Sequence, residues 1–367
     1  MDQLKRFFAK LLFAGWLITA QCAAQAQVSY LIEPVLTGLD TPWAVAPLPG
    51  GGVLVTQRGG ELIHQMGDRR IRVAGVPKVA RRGQGGLLDI TLARDFTISR
   101  RLFLTYAKPQ GLRGSGTAVA AARLSADGTR LDGVKDLFVM KKGSSGGRHF
   151  GSRVVEAPDG SLFLTIGDRG DRPSAQDLTL HNGSVIRINA DGSVPTDNPF
   201  VGRGDALPEI WSYGHRNPQG AALDLAGNLW VTEHGARGGD EVNAVRGGAN
   251  YGWPVISYGR HYSGAKIGEG TAKAGMEQPV YYWDPSIAPS GLMIYSGAQF
   301  PAWRGHFFVG SLKFDHIAVL AGDPLKEVAK IKTDETLRVR DIVEGPDGAI
   351  WLISVGQGSV YRIVPKN

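Results

Sequence analysis

The stretch PDGSLFLTIGD at residues 158–168 sets out a pattern that recurs along the chain: a Pro-Asp-Gly turn, a run of apolar residues too short for a helix, then a second turn. PDGAIWLISVG at 346–356 follows the same plan, and looser copies stand at PGGGVLVTQ (49–57), SRRLFLTYA (99–107), AGNLWVTEHG (226–235) and RGHFFVGSLK (304–313). Asp caps its own backbone and Gly accepts positive φ, so the flanking pairs, Asp159 and Asp347 included, read as turn chemistry and not as catalytic groups. The apolar runs begin near Val53, Leu102, Leu162, Leu229, Phe307 and Ile350, in steps of 49, 60, 67, 78 and 43 residues. Each step has room for a four-stranded sheet with its loops, and no strong helical periodicity interrupts them. Six such units predict an all-β chain folded as a six-bladed β-propeller. Loops of unequal length would gather on one face and build a central site.

Composition agrees with that reading. Of 367 residues 43% are hydrophobic and 20% charged, enough to bury a core. The 51 glycines are about twice the usual share, as a turn-rich β fold requires. Lys5, Arg6 and Lys10 precede the apolar run LLFAGWLITA (11–20), and small residues ending in Ala24-Gln25-Ala26 follow it, which reads as a secretory signal peptide cleaved after Ala26. The expected organisation is a signal peptide at 1–26 and a single propeller domain at 27–367, exported to the periplasm and not inserted in the membrane after cleavage. Cleavage removes Cys22, the only cysteine, leaving no thiol for a disulfide or a metal. It also takes the formal charge from +7 to +5, and because acids and bases are interleaved no nucleic-acid partner is expected.

Polar clusters that strand and turn physics does not require stand at GQGGLLDI (83–90), GGRHFGS (146–152), TIGDRG (165–170), YGHRNPQG (213–220), VTEHGARGGDEVNAVRGGANYGWP (231–254), SLK (311–313) and LRVRDIVEGPDG (337–348). Read as chemistry alone, Arg338 and Arg340 alternate along a strand. They suit either a solvated face or a site where an anion lies between two parallel cations. Gln84 between glycines and Asn217 before Pro218 suit loop and turn roles, Tyr262 suits packing, and Glu241 and Tyr251 suit a surface acid and a core aromatic.

At these clusters, in this order and over nearly all of the mature chain, the sequence resembles the soluble glucose/sorbosone dehydrogenase family. These are quinoprotein aldose sugar dehydrogenases that use pyrroloquinoline quinone (PQQ) and calcium on a six-bladed propeller. The resemblance implies oxidation of the anomeric hydroxyl of an aldose to a lactone, with an external electron acceptor. It implies that Gln84, Arg216, Asn217, Tyr262, Lys313, Arg338 and Arg340 contact PQQ, a flat tricarboxylated quinone for which converging guanidinium and ammonium groups are suited. By the same resemblance His149 is the general base, oriented by Asp168, while the carbonyls of Gly235 and Ala236 hold a calcium ion and Glu241 with the carbonyl of Tyr251 a second. His215 and His234 are expected to be structural. Two departures stand out: Arg148 precedes the histidine where some relatives carry an acid, and Ala236 replaces a proline found in some. Two other classes share the architecture. A calcium-dependent propeller lactonase or esterase would need metal carboxylates converging on the axis, and a non-catalytic carbohydrate- or protein-binding propeller would tolerate loss of the cations.

Overall fold

The computed structural model describes residues 28–112 and 114–366. The predicted signal peptide at 1–26, with Cys22, lies outside them. Six antiparallel sheets of four strands are built in chain order from residues 42–73, 87–139, 154–213, 218–283, 289–331 and 339–365, the last completed by strand Tyr30–Leu36. They form a six-bladed β-propeller. The repeated apolar runs are the second strand of every blade: Val53–Gln57, Arg101–Gln110, Ser161–Ile166, Leu229–Glu233, Phe307–Ser311 and Ile350–Ser354. A second strand has a neighbouring blade against each face, so it reads as a continuous apolar run and not as an alternation. Six hydrophobic clusters fill the wedges between consecutive blades, from Leu54 against Leu104 at the first to Ile353 against Val55 at the last.

A hydroxyl stitch accompanies this packing. The fourth apolar-run position is Thr56, Thr105, Thr165 and Thr232 in the first four blades. Each donates to a carbonyl on, or just before, the innermost strand of the next blade: Thr56 Oγ1 to Leu88 O at 2.6 Å, Thr105 Oγ1 to Ser152 O at 2.7 Å, Thr165 Oγ1 to Pro218 O at 3.1 Å and Thr232 Oγ1 to Ser290 O at 3.3 Å. In the fifth blade the position is Gly310, where an added Cβ would meet Ser290 Oγ at 2.4 Å. Ser290 Oγ makes the stitch instead, donating to Val339 O at 2.6 Å. The ring closes where Val45 N–H donates to Asp341 Oδ2 at 3.0 Å and Tyr30–Leu36 pairs with Ser359–Pro365.

The innermost strands begin under unusual backbone constraint. Thr41, Ser152, Ala288 and Arg338, all at the starts of these strands, have positive φ, and Gly86 occupies the corresponding place in the second blade. Non-glycine residues held in this region concentrate at functional sites, where surrounding structure overdetermines them. Here they turn the chain sharply at one face of the ring.

Candidate active site

The starts of the innermost strands surround a cavity of about 1240 Å³. Of the residues singled out in the sequence, Gln84, Asn217, Gly235, Ala236, Tyr262, Lys313, Arg338 and Arg340 line it. Arg216 lies just behind, buried beside the ring of Trp253 at 5.3 Å and donating through Nη1 to His234 O at 3.1 Å. Arg338 is held by Asp315 Oδ1 on its main-chain N–H (2.9 Å), while its Nη1 donates to Leu312 O (3.0 Å). Arg340 donates from Nη1 to the side-chain oxygen of Gln219 at 3.0 Å. Burial pushes Arg340 down to about 9, and Arg153, Arg338 and Arg58 push the same way with only Asp341 opposing. Burial likewise lowers Arg216, with Asp168 opposing. Among the described residues none of Arg58, Arg216, Lys313, Arg338 and Arg340 is in an ion pair with a carboxylate, and the buried Nε atoms of Arg58 and Arg216 have no partner. Cations gathered at this cost, with donors left over, suit a flat ligand carrying several carboxylates.

His149, like Asp168, does not itself line this cavity, although Phe150 and Gly151, which follow it in the chain, do. Its φ is +57°, and its main-chain N–H donates to the side-chain oxygen of Gln84 at 2.7 Å. Its Nδ1 meets Asp168 Oδ1 at 2.6 Å, and the imidazole is 13% exposed. Burial would raise Asp168, but donation from His149, Gly170 N–H (2.6 Å) and Trp253 Nε1 (2.8 Å) holds it below the usual carboxylate range. Burial lowers His149, Asp168 opposes, and Arg216 and Arg148 lower it further. The pair is therefore a neutral imidazole donating Nδ1–H to an ionised carboxylate, which leaves the Nε2 lone pair free to accept a proton.

The chain matches the model of the Glucose / Sorbosone dehydrogenase family over residues 39–362. It belongs to that family. Aldose sugar dehydrogenase YliI of Escherichia coli is 43% identical over 360 residues, covering 96% of each chain. Quinoprotein glucose dehydrogenase B of Acinetobacter calcoaceticus is 28% identical over 331 residues, covering 81% of this chain and 67% of that one. The apo crystal structure of the soluble E. coli aldose sugar dehydrogenase superposes with a TM-score of 0.88 at 42% identity, covering 92% of this chain and 100% of that one.

In this member of the glucose/sorbosone dehydrogenase family two residues expected at a metal, Glu241 and Tyr251, do not line the cavity; they lie around Glu233 in the fourth blade. Glu241 pairs across the sheet with Glu233, and burial together with that carboxylate pushes it up. The Tyr251 ring stacks on His215 at 4.6 Å. His215 is structural: its Nδ1 meets Glu233 Oε1 at 2.8 Å and its Nε2 meets Ser212 Oγ at 2.9 Å. Glu233 in turn accepts Arg216 N–H at 2.7 Å, so this chain of contacts fixes a cation of the site. His234 is structural too, its Nε2–H donating to Pro289 O at 2.6 Å, and burial followed by Arg216 and Arg340 takes it down to about 3.

Several contributors escape the sequence reading. Arg58, a further lining cation, lies two residues past the stitch threonine Thr56, and Lys313 lies three past the matching Gly310. The offsets differ by one residue, so aligning the repeats does not single out Arg58, which reads in the sequence as an ordinary turn residue. Arg169 holds the His149 loop, donating to the carbonyls of Arg148 and Gly146 (the latter at 3.1 Å) with its guanidinium over Phe150. Below the cavity, Arg153 occupies the axis, bound to Asp89 at 2.9 Å and Asp341 at 2.7 Å. These axial carboxylates are satisfied by a guanidinium, which does not favour the lactonase reading.

Proposed function

We propose that the protein is a PQQ-dependent aldose dehydrogenase that oxidises the anomeric hydroxyl of an aldose to the lactone and hands the electrons to an external acceptor. The observation that carries this reading is the set of carboxylate-free cations, Arg58, Arg216, Lys313, Arg338 and Arg340, gathered beside a neutral His149. Names of relatives, an aldose sugar dehydrogenase and a quinoprotein glucose dehydrogenase, support it. The lining cations would hold the carboxylates of PQQ, with Gln84 and Asn217 donating to its polar edge. When bound, the quinone supplies the two-electron sink for the hydride leaving C1. His149 Nε2 takes the hydroxyl proton as the C1–H bond breaks and the C1=O bond forms. Asp168 keeps the imidazole in the Nδ1–H tautomer and stabilises it once protonated.

Calcium belongs to the same proposal. The carbonyls of Gly235 and Ala236 would hold one ion against the cofactor, and Glu241 with the carbonyl of Tyr251 a second. Gly235 is fixed for this by its N–H bond to Asp240 Oδ1 at 2.8 Å. Among the described residues no group of three or more His, Cys, Asp or Glu is arranged to hold a metal, so main-chain and cofactor oxygens would supply much of the coordination, as a hard cation accepts.

Export to the periplasm is inferred from residues 1–26, and a mature terminus at Gln27 in mass spectrometry of periplasmic protein tests it. The activity is tested by adding PQQ and calcium to the cofactor-free protein and screening aldoses with a dye acceptor. Turnover is expected only with PQQ, with loss on chelation. Turnover supported by NAD instead would overturn the reading.

A further inference from the structure

The cations that suit a cofactor do not exhaust the positive charge of the cavity. Six lining cations, Arg58, Arg237, Arg260, Lys313, Arg338 and Arg340, face one lining acid, Asp284. Two of the six lie on a small ribbon outside the blades. Arg237 N–H donates to Arg260 O at 3.0 Å and Arg260 N–H to Arg237 O at 3.2 Å. On its other side Arg260 is bridged antiparallel to Lys266. Residues directly opposed on antiparallel strands project from the same face, so Arg237, Arg260 and Lys266 form one row.

This row has no internal compensation. All three residues are exposed, and among the described residues none is in an ion pair with a carboxylate. Lys266 Nζ donates to the main-chain oxygen of Glu269, whose carboxylate is paired with Lys273 at 2.8 Å. Like charges directly opposed across strands destabilise a ribbon unless an anion offsets them. Arg237 and Arg260 reach the cavity lining together with Tyr262, which is 73% exposed two residues beyond Arg260. The row therefore runs from the solvent side of the hairpin to the cavity mouth.

We propose that Arg237, Arg260 and Lys266 form an anion subsite, and that the aldose served by this site carries a carboxylate or a phosphate. The inference rests on the dehydrogenase reading for the identity of the ligand as a sugar. A tricarboxylate cofactor with a calcium ion would still leave the lining positively charged, so the loaded site keeps its preference for an anion. Arginine pairs recognise either group through charge-assisted, forked hydrogen bonds, and the mouth position would act on binding of the sugar more than on the chemical step.

The test compares glucose, glucuronate and glucose 6-phosphate as substrates of the PQQ- and calcium-loaded protein, using an uncharged dye acceptor, at low and raised ionic strength. The expected result is a kcat/KM for at least one anionic sugar about tenfold above that for glucose, the scale of one hydrogen bond to a charged group, shrinking as salt is raised. In R260Q/K266Q the ratio of anionic to neutral substrate should fall towards one. The two anionic substrates separate carboxylate from phosphate recognition. Calorimetric binding of inorganic phosphate to the PQQ-loaded protein, in which the cofactor's carboxylates occupy the deeper cations, gives a second readout, expected to weaken by the same factor in R260Q/K266Q. A ratio near one in the wild-type protein with glucose still oxidised overturns the subsite and leaves the dehydrogenase reading standing. No PQQ-dependent turnover of any sugar overturns that reading, while the calorimetry still decides the row: undetectable binding, or binding unchanged in the variant, refutes it. A substitution that alters the KM of an anionic acceptor but not of the sugars assigns the row to the acceptor and also refutes it.

Discussion

Replacing Arg153 by Met tests whether the axis of the ring is held by charge. The guanidinium belongs to the third blade. It reaches Asp89 of the second at 2.9 Å, Gln219 O of the fourth at 2.8 Å, Asp341 and Arg340 O of the sixth at 2.7 and 3.1 Å, and stacks on Trp43 of the first at 4.3 Å. Met keeps most of the aliphatic volume but leaves two buried carboxylates facing each other without a cation. Breaking a buried pair from one side costs about 3–5 kcal/mol. At about 2 °C per kcal/mol for a domain of this size, the variant should melt about 6–10 °C below the wild-type protein. Burial already raises both carboxylates and Arg153 opposes it, so in the variant they rise further. The folded variant then holds protons that the unfolded chain releases, its stability falls as pH rises through that window, and the melting gap should be wider at pH 7.5 than at pH 5. Scanning calorimetry at the two pH values measures it, and Asp89→Asn added to the variant should recover part of the loss. A gap under about 1 kcal/mol, equal at both pH values, would refute the reasoning.

Other consequences are tested in the reconstituted protein. His149→Gln should lower kcat by about 100- to 10,000-fold while PQQ is retained, read as quinone absorbance and steady-state rate on the same sample; near wild-type turnover would remove His149 from the base role. Arg340→Ala should chiefly weaken PQQ retention, which equilibrium dialysis measures. Because burial and the nearby arginines lower His149, the acid limb of kcat should lie below pH 6.5, where the base becomes protonated. Arg148→Glu removes a lowering charge and adds a raising one, so that limb should move to higher pH in the pH–rate profile; no shift, or a shift downward, counts against the assignment.

The fold was legible wherever a strand is covered on both faces. Such strands must be apolar throughout and must end in turns, so the runs beginning near Val53 and Ile350 announce themselves. Strand Tyr30–Leu36 did not, because as a half-exposed outer strand it has neither continuous apolarity nor the flanking turns. At the site, Arg338 and Arg340 suited an anion site as well as a solvated face, and Lys313, Gln84 and Asn217 could be read through the family pattern. Arg58 and Gln219 could not, since one looks like an ordinary turn residue and the other acts through its contacts with Arg340 and Gly151. Glu241 and Tyr251 are singled out by family likeness alone, and they lie around Glu233 in the fourth blade, away from the cavity lining.

The last blade draws one strand from residues 30–36 and three from 339–365, so the ring has a seam made by stretches more than 300 residues apart in the chain. During vectorial synthesis that seam stays open until residues 359–365 have been made. Until then the facing sides of the first and sixth blades, Val45 and Val55 opposite Ile353 and Val360, have no cover. The barrier to completing the molecule is thus a contact between distant ends, costly in loop entropy and late in time. Deleting 359–365 should strand the product in that open, chaperone-dependent form even though every residue around the cavity is still present.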